Sequence, residues 1–469
     1  MQIKPVSKGT LARIHSDLHQ MTSFGQLMDY IPTVIITKIA YFAALLWLLS
    51  PVIVMLSNLF LPGQDDVQYY YRQAMMAGLW YIFLLNAGTL GLMSGLMAAA
   101  KSLRKIFLTR ARLWTVVQDH TVAVFLFLFL AWSLLSALMS PNPDIAFDGT
   151  IYRKEGWFTY LLYAGMFCCG YQLRKAIHIR KLVAMLCGTG SLLSILSIIH
   201  MPWMKIRLGI EPATSAFHNS NHYAYFLCMA IFASLTGLLV NAKSKTALLF
   251  LVSFTLNSAA LILNQSFGPY LAVIFGLMLM LTLSLLYKRD SARMVVLATA
   301  VFFVLSLLLN QVSRHLFQDL WLTLTGIRQI ASGDELAGSA GSGRWRLWVA
   351  AFQFMLERPL FGFGPDNLGQ AYLDLGIEID RPHNEILQFA ASLGMPAALL
   401  YGMAVLVHLR DWFWQRRQAS ALALGLMGLL LAYWFSSMFG NTMYYTTPFF
   451  VLFWGLSAGQ IRQNRKMPD

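Results

Sequence analysis

Charge is the scarcest property of this chain: only 12% of its 469 residues are Asp, Glu, Lys or Arg and 57% are apolar, whereas a soluble domain is about a quarter charged. That excludes an ordinary soluble domain. Acids are fewer still, 21 against 35 bases, for a net charge of +14. Cysteine is nearly absent, and Cys168, Cys169, Cys187 and Cys228 all lie inside apolar runs with neither metal-ligand nor disulfide spacing. No small-residue cleavage site follows a short apolar core near the N-terminus, so the first apolar run reads as a retained helix and not a signal peptide.

What is abundant is hydrocarbon. Runs long enough to cross about 30 Å of bilayer fall near residues 39–61, 74–100, 121–139, 156–173, 182–200, 221–240, 246–263, 267–287, 294–312, 385–407, 419–439 and 443–461. The expectation is an all-α polytopic membrane protein of about 12 transmembrane helices. Residues 1–312 would hold the first nine, 313–382 a long loop and 383–469 the last three.

Basic residues are retained on the cytoplasmic side of membranes. With the N-terminus inside, alternate loops hold 23 of the 35 Lys and Arg with six acids, and the opposite loops hold 11 bases with 15 acids. Both termini are then cytoplasmic, and residues 313–382 form an extracytoplasmic loop between the ninth and tenth helices. The positive charge is spread over many edges in place of one patch, which argues against a nucleic-acid partner. The centres of the apolar runs carry no ionisable side chain, whereas secondary transporters keep such groups near the midplane. A polysaccharide or lipid-carrier transporter is therefore the more distant alternative.

Attention moves to the long loop. Ser332–Gly343 reads as a hinge, and Arg344–Glu357 as a surface helix with Trp348, Phe352 and Met355 at i, i+4 and i+7. Pro359 ends it, and Phe361-Gly362-Phe363-Gly364-Pro365 forms a tight turn. The loop closes on Arg381-Pro382-His383-Asn384-Glu385 at the mouth of the next run.

The order and spacing of Arg344, Trp348, Pro359, Leu360, Gly362, Gly364, His383, Asn384 and Gly394 resemble the conserved block of the O-antigen ligase and O-antigen polymerase superfamily. Phe217–Tyr223 is similar to that family's Phe-x-Asn-x-Asn element, and Gly156–Tyr163 to its Gly-x-x-Thr-Tyr-Leu segment. At one point the chain departs: many members read Ser-Arg-Gly where it has Ser266-Phe267-Gly268. Arg153, Lys154, Lys205 or Arg207 would have to stand in for the absent arginine.

The resemblance implies a membrane glycosyltransferase that moves a glycan from an undecaprenyl-diphosphate carrier to a hydroxyl of a surface acceptor, a lipid A core or another glycan, on the outer face of the bacterial cytoplasmic membrane. A polymerase joining carrier-linked repeat units is the alternative within the superfamily. Such chemistry needs a base for the hydroxyl, cations for the diphosphate and a greasy groove for the lipid. His383 fits the base, since imidazole is mostly neutral near pH 7, with Asn384 beside it. Arg344 fits the diphosphate contact through its forked, permanently charged guanidinium. Arg346, Arg381, Arg153 and Arg207 are further candidates, with Trp348, Pro359, Gly362 and Gly364 shaping the loop. The scheme needs no cofactor and no metal, because arginines can do the work of a divalent cation. Its partners are the lipid-linked glycan donor, a glycan or glycolipid acceptor and the bilayer.

Overall fold

A computed structural model describes residues 21, 26, 30–57, 66–109, 113–199, 214–217, 219–309, 321, 325–326, 343–416 and 419–465. All regular structure among them is helical. In chain order the helices are α1 (Thr33–Ser57), α2 (Asp66–Thr109), α3 (Leu113–Asp119), α4 (Thr121–Leu138), α5 (Pro143–Asp148), α6 (Trp157–Gln172), α7 (Ala176–Ile199), α8 (Ser220–Val240) and α9 (Thr246–Asn264). They continue with α10 (Phe267–Tyr287), α11 (Arg289–Leu308), α12 (Arg344–Glu357), α13 (Leu368–Asp374), α14 (Glu385–Leu393), α15 (Met395–Gln415), α16 (Ala421–Ser437) and α17 (Thr447–Arg465).

Eight helices are long and apolar enough to cross a membrane: α1, the Ala74–Arg104 part of α2, α4, and α7 to α11. The four remaining apolar runs also fold as helices, of which α6 and α16 have only 16 and 17 residues. The expected count of twelve spans thus stands at eight by length and apolarity among the described residues.

Inside the bundle the helices meet through small and hydroxylated residues, as helices without a hydrophobic drive between them must. Gly455 and Gly459 of α17 lie against the backbone of α6 at Phe167 and Tyr171, where any Cβ would collide. Ser194 donates to Asn257 Oδ1 at 3.0 Å, and Ser234 and Ser253 lie 2.8 Å apart, tying α7, α8 and α9 together. α8 is buried along almost its whole length.

Two runs differ from expectation. The run expected as one helix over 385–407 breaks at Gly394, whose φ of +89° is open to glycine and costly for other residues. A Cβ there would also strike the Leu360 carbonyl, and Pro396, in the first turn of the second half, has no N–H with which to continue the ladder from the first. The second half then continues to Gln415, bringing in buried His408 and Asp411, the latter ion-paired with Arg410 at 2.9 Å and with Arg465. Between α16 and α17, where the runs leave room for only a short connection, residues 438–446 form an irregular stretch whose Gly440–Thr446 part is buried.

The described part of the long loop has its own small core. Leu347, Ala350, Ala351 and Phe354 of α12 pack on Phe363, Leu368, Tyr372, Ile377 and Ala391. The buried stripe is therefore turned from the expected one: Phe352 is 51% exposed. The alanines, not the larger Phe352 and Met355, let α12 close onto α14. Most of the expected hinge at 332–343 lies outside the described residues.

Candidate functional site

The glycine turn after α12 serves as architecture. Phe363 N–H and Gly364 N–H donate to the carbonyls of Ala391 (3.2 Å) and Ser392 (2.8 Å), which the end of α14 would otherwise leave unpaired. Gly364 has φ +96°, and a Cβ on it would meet Ser140 Oγ. From α4, Trp132 Nε1 donates to Leu360 O (3.0 Å) and Ser136 Oγ to Phe361 O (2.6 Å), with the Ser140 hydroxyl just beyond α4 on Phe363 O (2.9 Å). Pro359 O accepts from Met395 N–H at 2.8 Å. Gly362, at φ +62°, completes the turn, and Trp348 lies against this small core with its ring 6.4 Å from that of Phe439.

This turn holds α14 and hence the segment before it. Asn384 is the N-cap of α14: its side chain accepts from Leu387 N–H at 3.1 Å, which satisfies one of the orphan donors of the first turn. His383 sits immediately before the cap in a left-handed conformation, φ +52°, a strained geometry for a residue with a side chain. Its Nδ1 lies 3.1 Å from Asn441 Nδ2 in the buried 438–446 stretch.

His383 lines a cavity of about 270 Å³ together with Arg153, Asn219, Asn221, His222, Tyr225, Glu378, Ile379, Asp380 and Asn441. Burial pushes its imidazole down to about 4, with the Arg344, Arg153 and Arg381 guanidiniums helping and Asp380 opposing. A histidine so placed is neutral across the physiological range.

The candidate arginines separate by partner. Arg344 opens α12 and acts electrostatically on both His383 and Tyr225. Arg153 lines the cavity and forks onto Asp380, Nε to Oδ2 at 2.9 Å and Nη2 to Oδ1 at 2.8 Å. Asp380 feels burial, which raises its pKa, but Arg381 and Arg153 outweigh it and hold the carboxyl low.

Arg381 is instead 1% exposed and committed to Asp366 at 2.5 Å and to Thr442 O at 3.1 Å. Asp366 also accepts from Thr150 N–H (2.7 Å) and Thr150 Oγ1 (2.9 Å). Arg381 is therefore a tie between three loops and is not placed as a ligand of the cavity. Arg346 reaches Leu375 O at 3.4 Å, outside the cavity lining. Arg207 and Lys205 fall outside the described residues. Phe267 begins α10 packed against the main core, so no cation occupies that position.

Of the residues in and around the site, Asn219, Asn221 and His222 come from the Phe217–Tyr223 element, whereas Glu155, Asn441 and Tyr445 carry no clear mark in the sequence. Glu155 is buried, accepts from Tyr163, and is pushed up to about 7, by burial first and against the pull of Arg381. His222 Nδ1 lies 2.6 Å from the Tyr445 hydroxyl. Asn441 and Tyr445 stand in a stretch easily read as the edge of two apolar runs. The one signal there is the Gly440-Asn441-Thr442 interruption. Among the described residues no group of three or more His, Cys, Asp or Glu could hold a metal ion.

Helices of membrane-spanning length around a polar, cation-flanked histidine cavity define a polytopic membrane protein with a site built from its loops. Residues 248–402, about a third of the chain, match the family model described as O-antigen ligase. The match overlaps the pattern from Arg344 to Gly394 and agrees with the likeness to the O-antigen ligase and polymerase superfamily that this pattern carries. No curated protein and no solved structure matched the chain. The family is one of glycan transferases of O-antigen ligase or polymerase type, acting on lipid-linked glycans at the bacterial inner membrane.

Proposed function

We propose that the protein transfers a glycan from an undecaprenyl-diphosphate carrier to a hydroxyl group of a surface acceptor, in the manner of an O-antigen ligase, on the extracytoplasmic face of the membrane. The observation that carries this reading is the neutral His383 held in a polar cavity flanked by arginines. The acceptor O–H gives its proton to the imidazole as its oxygen forms a bond to the anomeric carbon. The bond from that carbon to the diphosphate breaks, and the leaving group departs with the electron pair. Arg344 stabilises the charge gathering on the diphosphate, as a preorganised cation does. Arg153, paired with Asp380, lines the same cavity.

A polymerase that joins one carrier-linked repeat to another would use the same base, and the acceptor alone separates the two. Purified protein incubated with carrier-linked glycan is therefore offered either a core glycolipid or a second carrier-linked unit. The ligase reading expects product only with the first. Elongation of the carrier-linked glycan without other acceptor would replace it with the polymerase.

A further inference from the structure

We infer that Asn441 is the positioning residue of His383: its amide oxygen accepts the imidazole Nδ1–H and so fixes the tautomer whose bare Nε2 takes the acceptor proton. The inference rests on His383 being the base. A neutral imidazole carries one proton, and the nitrogen that holds it cannot accept another. Nδ1 is taken up by the Asn441 amide at 3.1 Å, leaving Nε2 for the substrate. If the amide NH2 donates to Nδ1, the ring proton must sit on Nε2 and the base is lost. Half a turn of the amide exchanges its two ends in nearly the same space. With Nδ2 toward the ring, as the structure has it, Asn441 Oδ1 is buried with no partner among the described residues; the half turn gives that oxygen the ring N–H and puts the NH2 group in its former place.

The amide is also held in place. Gly440 packs so closely on Tyr225 that a Cβ there would overlap its hydroxyl, and that hydroxyl donates to Phe439 O at 3.3 Å. On the other side, Thr442 O accepts from Arg381. Asn441 thus hangs between two fixed points in a stretch with buried backbone, the supporting shell a base needs.

The charged and titratable groups facing His383 are Arg344 of α12, Arg153 before α6, and Asp380 and Arg381 of its own segment, with Glu378, His222 and Tyr225 lining the same cavity. Asp at 441 accepts but does not donate, so it keeps the required tautomer and adds a negative charge that raises the imidazole pKa.

The test measures glycan transfer by purified full-length protein against pH for the wild type, Asn441→Leu, Asn441→Asp, His383→Ala and the His383→Ala/Asn441→Leu pair. Expected is a fall in kcat of about 10- to 100-fold for Asn441→Leu, a part of the ~10²–10⁴ that a base supplies, with the KM for donor unchanged. Asn441→Asp should keep most activity at neutral pH with its acid limb moved to higher pH, and the double variant should be no slower than His383→Ala. Wild-type rates in Asn441→Leu beside an inactive His383→Ala would overturn the role of Asn441 while sparing the base. Asn441→Asp as inactive as Asn441→Leu, though equally folded, would overturn it too, since the amide N–H would then be the needed group. An active His383→Ala would overturn the base itself. If Asn441→Leu fails to fold, the acid limb of Asn441→Asp decides alone.

Discussion

Removing the Arg381 guanidinium would leave the Asp366 carboxylate, 3% exposed, with only Thr150 as partner. Breaking a buried pair from one side costs about 3–5 kcal/mol, so Arg381→Ala should lower the thermal unfolding temperature and leave the KM for donor of the folded fraction unchanged. Arg344→Ala should instead raise the KM for donor. It should also move the acid limb of activity to higher pH. Arg344 lowers the His383 pKa, so its loss raises that pKa and the unprotonated base is lost sooner on acidification. In the wild type, with the imidazole near 4, transfer should stay level down to roughly pH 5. The family-like pattern from Arg344 to Gly394 singles out His383 and Arg344 as candidates in the sequence alone. They do not distinguish Arg381 from Arg344, because the partners that bury Arg381, Asp366 and Thr442, lie 15 and 61 residues away. Asn384 reads in the sequence as part of the chemistry and stands in the structure as a helix cap.

At the scale of elements, apolar length locates the eight described helices long and apolar enough to cross a membrane, because the bilayer's thickness imposes it. It misses the breaks that build the site. Gly394 enters the sequence reading as a member of the family-like pattern inside one expected helix, yet the Leu360 carbonyl beside it forbids a Cβ and breaks that helix in two. Gly376 has a comparable φ of +67° with open space around it. Placing a side chain in the left-handed region costs about 1–2 kcal/mol, so Gly376→Ala should show that cost alone. Gly394→Ala should lose distinctly more and should depress transfer by shifting α14; equal unfolding temperatures for the two would remove the close approach from the account. The buried 438–446 stretch is hidden for a different reason. Its residues Met443, Tyr444 and Tyr445 are apolar enough to pass for helix, and only tertiary contact shows that Asn441 beside them lines the cavity.

For the whole molecule, the proposed function needs the cavity on the extracytoplasmic side, the side that the uneven distribution of Lys and Arg predicts for residues 313–382. A phosphatase reporter active only outside the cytoplasm, inserted after Gly376, should be active, and one inserted in the turn at Lys243 should be silent; the opposite pattern would invert the topology. That face offers no nucleotide donor, which is why a substrate arriving with its own diphosphate leaving group fits this site. The most direct measurement is glycan transfer by purified wild-type protein and by His383→Ala, matched for folding, with carrier-linked glycan and a hydroxyl acceptor. The account predicts transfer by the wild type and its loss in the variant, and normal transfer by the variant would contradict it.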